Sequence, residues 1–434
     1  AASTLAANGV EATIVEKNQQ IGGRARMLKR DGFTFDMGPS WYWMPDVFER
    51  YFESFGKKPS DYYELKRLDP SYKVFFHDEA ISIPPAMEEL EQLFESKEKG
   101  AGIALRKFLA DASVKYDAGI NDLVHKPGHS LFEFAQWKVI KGLFELDLLK
   151  DFRSFAQSYF KNDKLLSLIE FPILFLGAMP QDTPALYSLM NYADMSLGTW
   201  YPMGGMHKII EAMESLAREK GVNFRTNEPV TQIFRNGSMN VVTDKDTIKS
   251  DYVVGGADYH HIETSLLKPE DRQYSSSYWD RRTMAPSCLL YYVGVDKKLT
   301  GLEHHNLFFD RPFDQHAIEI HSDEQWPSTP LFYVCCPSQT DPSVAPEGKE
   351  NLFILIPIAP GLEGDTDAVR KEYFDKVIAR IEKHTKQSFS NEILFSESYS
   401  IKEFKTDYNS FKGNAYGLAN TLMQTAFLKP KLRH

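Results

Sequence analysis

Cysteine is scarce in this chain: three in 434 residues, Cys288 and the adjacent pair Cys335 and Cys336. They have neither the spacing of a metal finger nor the even count of a disulfide framework, and no metal site is expected. Neighbouring residues of a strand point to opposite faces, so all three read as reduced core residues of a cytoplasmic, reducing compartment. Long apolar runs are missing too, and none reaches the roughly 18 residues of a spanning helix. Positive charge is in deficit, with 50 Lys and Arg against 60 Asp and Glu, a net charge of -10 that argues against a nucleic-acid partner. No G-x-S-x-G or H-E-x-x-H occurs, which removes the hydrolase elbow and the zincin helix. Aromatics, by contrast, are abundant at 30 Phe and 21 Tyr, and the length allows more than one domain.

The chain is organised around ATIVEKNQQIGGRARMLKRDGFTFDMGPSWYW near its start. Ala12 to Val15 are β-branched or apolar without alternation, the pattern of a buried parallel strand, and Glu16 stands at its carboxyl end. Open α/β sheets bind ligands there, and a carboxylate in that place accepts hydrogen bonds from both hydroxyls of an adenosine ribose. Gly22 and Gly23 allow close backbone approach, and Arg24 and Arg26 bring cations to where a pyrophosphate would lie. The complete unit needs a strand, G-x-G-x-x-G and a helix before Glu16, with the acidic residue about 20 residues beyond the glycines. Ala1 to Asn8 read as the end of that helix, closed by Gly9. The chain is therefore expected to begin inside the βαβ unit, without its first strand and glycine loop.

VEKNQQIGGRAR followed by GFTFDMGPSWYW resembles the amino-terminal signature of the FAD-dependent amine oxidase and carotenoid desaturase superfamily, and within it the bacterial-type phytoene desaturases. The resemblance implies an FAD site that includes Glu16, Gly22, Gly23, Arg24, Gly38, Pro39 and Ser40. GTWYPMGGMHKIIEAMESLAREKGVNFRTNEPVTQIF, from Gly198, carries it further. Gly204 and Gly205 precede a helix with Ile209, Ile210, Met213, Leu216 and Ala217 on one face, and a glycine pair at a helix start offers free N–H groups to a ligand. A strand at 221–224, a hairpin of 230–234 with 239–243 across Asn236-Gly237, and a buried strand in SDYVVGGAD at 250–258 are expected next. The resemblance implies that Val230 meets the adenine through its backbone. The segments FYVCCPSQTDPSVAPEGKENLFILIPIAP and GNAYGLANTLMQTAFLKPKLR resemble the phytoene desaturase group specifically, the latter being close to the flavin there.

The expected architecture is an α/β fold: a discontinuous FAD-binding, Rossmann-like domain from 1–70, 198–258 and 395–434, a helical region at 71–197, and a mixed α+β substrate domain at 259–394. Within it a helix at 45–55, a hairpin of 72–76 with 81–83, strands at 289–293, 331–335 and 352–356 and a helix at 367–383 are expected. Residues 131–176 hold more aromatics and leucines than one buried stripe needs, with six Lys or Arg against five Asp or Glu from 131 to 164. A packed core and an in-plane membrane contact both suit such a stretch. Phe144, Leu148, Phe152 and Phe155 are the expected contact, placing the protein in the cytoplasm and peripherally on the membrane.

Such an apolar surface suits a long hydrocarbon with no polar handle, and a flavin accepts the hydride that its dehydrogenation releases. The resemblance implies FAD-dependent desaturation of phytoene toward lycopene, with oxygen or a quinone as electron acceptor. Asp163 matches an acidic residue implicated in that group, while Ser167 stands where an arginine would. A desaturase or isomerase of a later carotenoid, a flavin amine oxidase, and a non-enzymatic lipid-binding escort protein of the same fold remain alternatives.

Overall fold

The computed structural model describes residues 1–121, 123–125, 150–174, 177, 179–421, 424 and 428–432. Its largest element is a seven-stranded sheet in the order Ile393–Tyr399, Ser287–Val295, Glu350–Ile358, Phe332–Cys335, His305–Phe309, Tyr72–Phe76, Ala80–Ile83. Neighbours run antiparallel except His305–Phe309 beside Tyr72–Phe76, which are parallel. Every residue of Ser287–Val295 is buried, because it has strands on both sides and packed layers on both faces. Leu289, Tyr291 and Val293 meet Tyr373, Val377 and Ile381 of the Asp367–Thr385 helix. Leu290 and Tyr292 face the other way, into a cluster with Phe35, Phe155 and Phe171. Cys335 falls in that second cluster and Cys336 in the first, as alternation requires.

Around this sheet lie the smaller elements. Thr13–Val15 pairs in parallel with Asn223–Arg225, and Val230–Asn236, Ser238–Thr243 and Thr247–Ser250 form an antiparallel three-stranded sheet. The Thr13–Val15 strand is only half-buried; among the described residues a single strand flanks it. The strand expected within 250–258 is not formed: Tyr252 and Val254 are 89% and 69% exposed, with no neighbouring strand among the described residues to take their backbone groups.

The described residues from 87 to 196 are mainly helical, but the first flank of the expected 71–197 region is not separate from the substrate sheet, since Tyr72–Phe76 and Ala80–Ile83 are strands of it. The boundary placed at 394/395 likewise falls inside the Ile393–Tyr399 edge strand. Phe152 and Phe155 are 0% and 3% exposed, which corrects their expected place on a membrane surface. Helical spacing marks an apolar face without saying what covers it; here it is the protein itself, with Phe108 5.6 Å from Phe155 and the Lys115 ammonium 3.6 Å above the Phe155 ring. Phe144 and Leu148 lie outside the described residues. Among the described residues no helix is long and apolar enough to cross a membrane. The Asp163–Leu174 helix carries Pro172, and its buried Glu170 is held by a two-pronged ion pair to Arg153 at 3.0 and 2.8 Å.

Candidate active site

The carboxyl end of Thr13–Val15 and the start of Val230–Asn236 meet at one corner. Glu16 donates its N–H to the Arg225 carbonyl at 2.8 Å and accepts the Glu228 N–H at 3.0 Å, which brings Val230 alongside. One carboxylate oxygen of Glu16 accepts the Asn18 N–H at 2.8 Å. Gly22 has φ 105° and would press a Cβ against Ile210 at 3.0 Å, whereas a Cβ on Gly23, also at positive φ, would meet nothing within 4 Å. Gly23 thus fronts open space where a ligand's phosphates have room, and Gly22 permits the close fit of the turn on the His207–Glu219 helix.

Arg24 donates to Ser410 Oγ at 2.5 Å and to the Asn414 carbonyl at 3.3 Å, and Arg26 pairs with Asp407 at 2.5 Å. Both guanidinium groups also lie 5.1 Å from the Tyr408 ring. Each keeps a buried Nε with no hydrogen-bond acceptor among the described residues, a donor left over for an anionic group. Gly38 admits no side chain, since a Cβ would stand 2.6 Å from the Arg24 carbonyl oxygen. Pro39 is exposed and Ser40 buried. Gly204 and Gly205, at φ 95° and 104°, form the turn into the His207–Glu219 helix.

Two residues that organise this corner escape sequence reasoning. Asp36 accepts the N–H groups of Met206 at 2.7 Å and His207 at 3.0 Å, and Asp341 accepts the Gly204 N–H at 2.6 Å. Enclosure pushes the Asp36 carboxyl up to about 6, against the two N–H bonds that favour its ionised form. Capping by a remote acid leaves no local signal, because the residues lie far apart in the chain.

Beside this corner lies an apolar cavity. Its space open to the centre of a water-sized sphere is about 70 Å³, and its walls include Phe171, Leu307, Phe309, Ala317, Tyr333 and Tyr416. Two histidines on its wall are held neutral by burial, His316 and His321, both pushed down to about 4. His316 has no lone pair or proton to spare: Nδ1 accepts the Leu331 N–H at 3.0 Å and Nε2–H donates to the Pro357 carbonyl at 2.9 Å. Such a cavity offers a ligand contact area and almost no charge. Tyr333 joins it to the corner, since the hydroxyl of this wall residue donates to Ser40 Oγ at 3.0 Å.

Asp163 is not brought to either place. It opens the Asp163–Leu174 helix on the exposed surface, and its carbonyl accepts the Ser167 hydroxyl at 2.9 Å. Phe171 of the same helix lines the cavity, eight residues and so about 12 Å further along the axis.

A family model described as flavin containing amine oxidoreductase matches residues 1–434. The chain belongs to this family. It is 42% identical to the carotenoid 3,4-desaturase of Haloarcula japonica over all of its own length and 88% of that protein. It is 30% identical to the 4,4'-diapophytoene desaturase (4,4'-diaponeurosporene-forming) of Staphylococcus aureus, over 99% of this chain and 88% of the relative. The zeta-carotene-forming phytoene desaturase of Myxococcus xanthus is 29% identical over 99% of this chain and 84% of its own. Among solved structures, wild-type putrescine oxidase bound to putrescine superposes with a TM-score of 0.60 at 11% identity, over 97% of this chain and 85% of the oxidase. The RAB GDI of Plasmodium falciparum does so at 0.56 and 11%, over 99% and 92%. At such identities these two share the fold alone with this chain. The protein is an FAD-dependent oxidoreductase of carotenoid desaturase type in the amine oxidase superfamily, and the resemblance seen in its sequence is borne out.

Proposed function

We propose that this chain removes two hydrogens from a carotenoid whose conjugated system is already partly built, in the manner of 3,4-desaturation. The 42% identity to a carotenoid 3,4-desaturase, against 28–30% for relatives named for earlier substrates, favours this reading. The observation that supports a hydrocarbon substrate is the apolar cavity whose Tyr333 wall touches Ser40. Desaturation of phytoene toward lycopene is the second reading, supported by the fold-wide likeness to phytoene desaturases.

Glu16 would hold the ribose, the Gly22-Gly23 turn with Arg24 the phosphates, Gly38, Pro39 and Ser40 with Gly204 and Gly205 the flavin side, and the Val230 backbone the adenine. The spare Nε donors, the open face of Gly23 and the free carboxylate oxygen of Glu16 suit that cofactor. FAD, when bound, accepts the hydride, and oxygen or a quinone reoxidises it. The chain's own part is to lay the hydrocarbon along the cavity, to exclude water with Phe171, Leu307 and Phe309, and to keep His316 and His321 uncharged. No described group on that wall offers the fixed charge that would select an ammonium substrate, which weighs against an amine oxidase. Because carotenoids reside in lipid, the substrate is drawn from a membrane surface.

The test is to incubate flavin-loaded protein with liposomes carrying either phytoene or a lycopene-type carotenoid and to read product spectra. Conversion of the second alone supports the proposal; conversion of phytoene alone replaces it with the second reading; oxidation of amines with neither carotenoid touched overturns both.

A further inference from the structure

Next to the cofactor corner the fold assembles three buried groups that the reaction above does not use. His304, His305 and Cys335 are 3%, 0% and 4% exposed, and one ligand atom from each lies within 4.8 Å of the others. His305 and Cys335 sit directly opposite on adjacent strands. Cys336, beside Cys335, donates its N–H to the His304 carbonyl at 2.8 Å. The cluster is thus fixed by backbone pairing and not by a flexible loop.

The histidines are oriented from behind. Tyr333 donates its hydroxyl proton to Ser40, so its oxygen accepts from His305 Nδ1–H at 2.6 Å. That leaves the lone pair on His305 Nε2. His304 Nδ1 bonds Thr340 Oγ1 at 2.9 Å, which leaves its Nε2 over as well. Both Nε2 atoms are buried and without a hydrogen-bond partner among the described residues. A buried polar atom with nothing to bond requires a water or an ion, and here two such atoms belong to residues clustered with one thiol. A hydroxyl fixing Nδ1 while Nε2 is left over is the arrangement by which metal-binding histidines are oriented.

Room for an ion exists beside His304 and Cys335. A second, small cavity, with about 10 Å³ open to the centre of a water-sized sphere, is lined by His304, Cys335, Ser40, Tyr201 and Asp36, space for one water or ion. We propose that His304, His305 and Cys335 bind one zinc ion, with a water from this cavity in the fourth position. Tetrahedral zinc with Zn–N about 2.0 Å and Zn–S about 2.3 Å needs ligand atoms about 3.3–3.7 Å apart, a closure of roughly 1 Å that rotation about side-chain bonds supplies. Two imidazoles and a thiolate suit zinc better than magnesium or calcium, which take oxygen ligands. The Cys335 thiolate and the Asp36 carboxylate on the cavity wall together balance the divalent charge. The ion would pin the strands His305–Phe309 and Phe332–Cys335 to each other behind Ser40, through Tyr333.

The test uses the whole chain, flavin-loaded and flavin-free, incubated with zinc and desalted over a weak chelator before elemental analysis. About one zinc per chain is expected in both forms, falling about tenfold in Cys335→Ser and in His304→Gln while flavin content and a cooperative thermal transition persist. X-ray absorption at the zinc edge of the unaltered protein should show one sulfur near 2.3 Å with nitrogens near 2.0 Å, a reading that stands even if a variant fails to fold. Less than about a tenth of a zinc per chain in the unaltered protein means that a water alone fills the cavity and overturns the proposal. Zinc retained only when flavin is absent means that the two histidines serve the cofactor instead, and equal zinc in the variants places it elsewhere. Each of these outcomes leaves the carotenoid reading untouched.

Discussion

The carboxylate of Asp36 accepts the backbone N–H of Met206 at 2.7 Å and so joins the end of the Phe33–Asp36 strand to the start of a helix 170 residues later. With the adjacent bond to His207 it caps the His207–Glu219 helix and fixes the Gly204-Gly205 turn. Asp36→Ala leaves two amides without their acceptor and should destabilise the fold by about 1–2 kcal/mol. Chemical unfolding checks the stability. Flavin retained on gel filtration should fall as well, and a variant that holds flavin like the parent would separate the cap from the cofactor site.

Asp194 sets a pH dependence. It accepts from Tyr72 at 2.9 Å and Thr199 at 3.0 Å in full burial, which pushes its carboxyl from 3.8 up to about 7. A carboxyl whose folded pKa is raised binds its proton more tightly in the native state. Its contribution to stability is therefore whole below about 4 and is lost as pH rises to about 7, a change on the order of a few kcal/mol. Asp194→Asn cannot ionise and should flatten that part of the profile. The readout is the difference in unfolding free energy between pH 5 and pH 8, parent against variant; equal slopes would dismiss Asp194 as its source.

The apolar cavity makes a steric prediction. Ala317 lies on its wall, and Ala317→Phe fills the space with a ring while leaving the cofactor corner alone. Turnover of carotenoid in liposomes should drop at least about tenfold, with flavin content and melting temperature near those of the parent, since a reacting chain displaced by about 1 Å loses as much. Unchanged turnover would place the substrate in another part of the fold.

With Phe152 and Phe155 buried, the proposed uptake of substrate from a membrane calls for another contact face. Ile103 and Val114 are 68% and 57% exposed on the Ala101–Asn121 helix, eleven residues and so three turns apart on one side, with Lys107 between them. We expect the double variant Ile103→Asp, Val114→Asp to lose sedimentation with anionic liposomes, because each removes apolar area worth about 25 cal/mol per Å² from the contact. Flavin absorbance serves as the control for folding.

Much of the fold is legible in the residues. The helix at Pro45, the hairpin of 72–76 with 81–83, the core strands around 289–293 and 352–356 and the helix from Asp367 follow from period and turn chemistry, and the structure extends each by only a few residues or trims it. What a local pattern does not carry is the identity of the covering surface. Phe152 and Phe155 have the spacing of a contact face, and the protein's own core takes it. The 250–258 segment has the composition of a strand, yet a strand exists only where a neighbour offers hydrogen bonds. The glycines and Glu16 are readable because backbone access and a strand end are local properties. Asp36, Asp341 and the His304, His305 and Cys335 group gain their meaning from contacts across long stretches of chain.

The parallel pairing of Tyr72–Phe76 with His305–Phe309 bears on how the chain is made. Lys73 lies opposite Asn306, which is synthesised 233 residues later. At about 5–20 residues per second, YKVFF waits roughly 10 to 50 s on the ribosome before its neighbour emerges. During that interval a short aromatic strand presents one unpaired edge, the kind of edge that recruits other chains into aggregates. Lys73 and the tight turn to Ala80–Ile83 are local guards it carries. Yield in a host cell should therefore follow elongation speed and holdase supply as much as the stability of the finished protein.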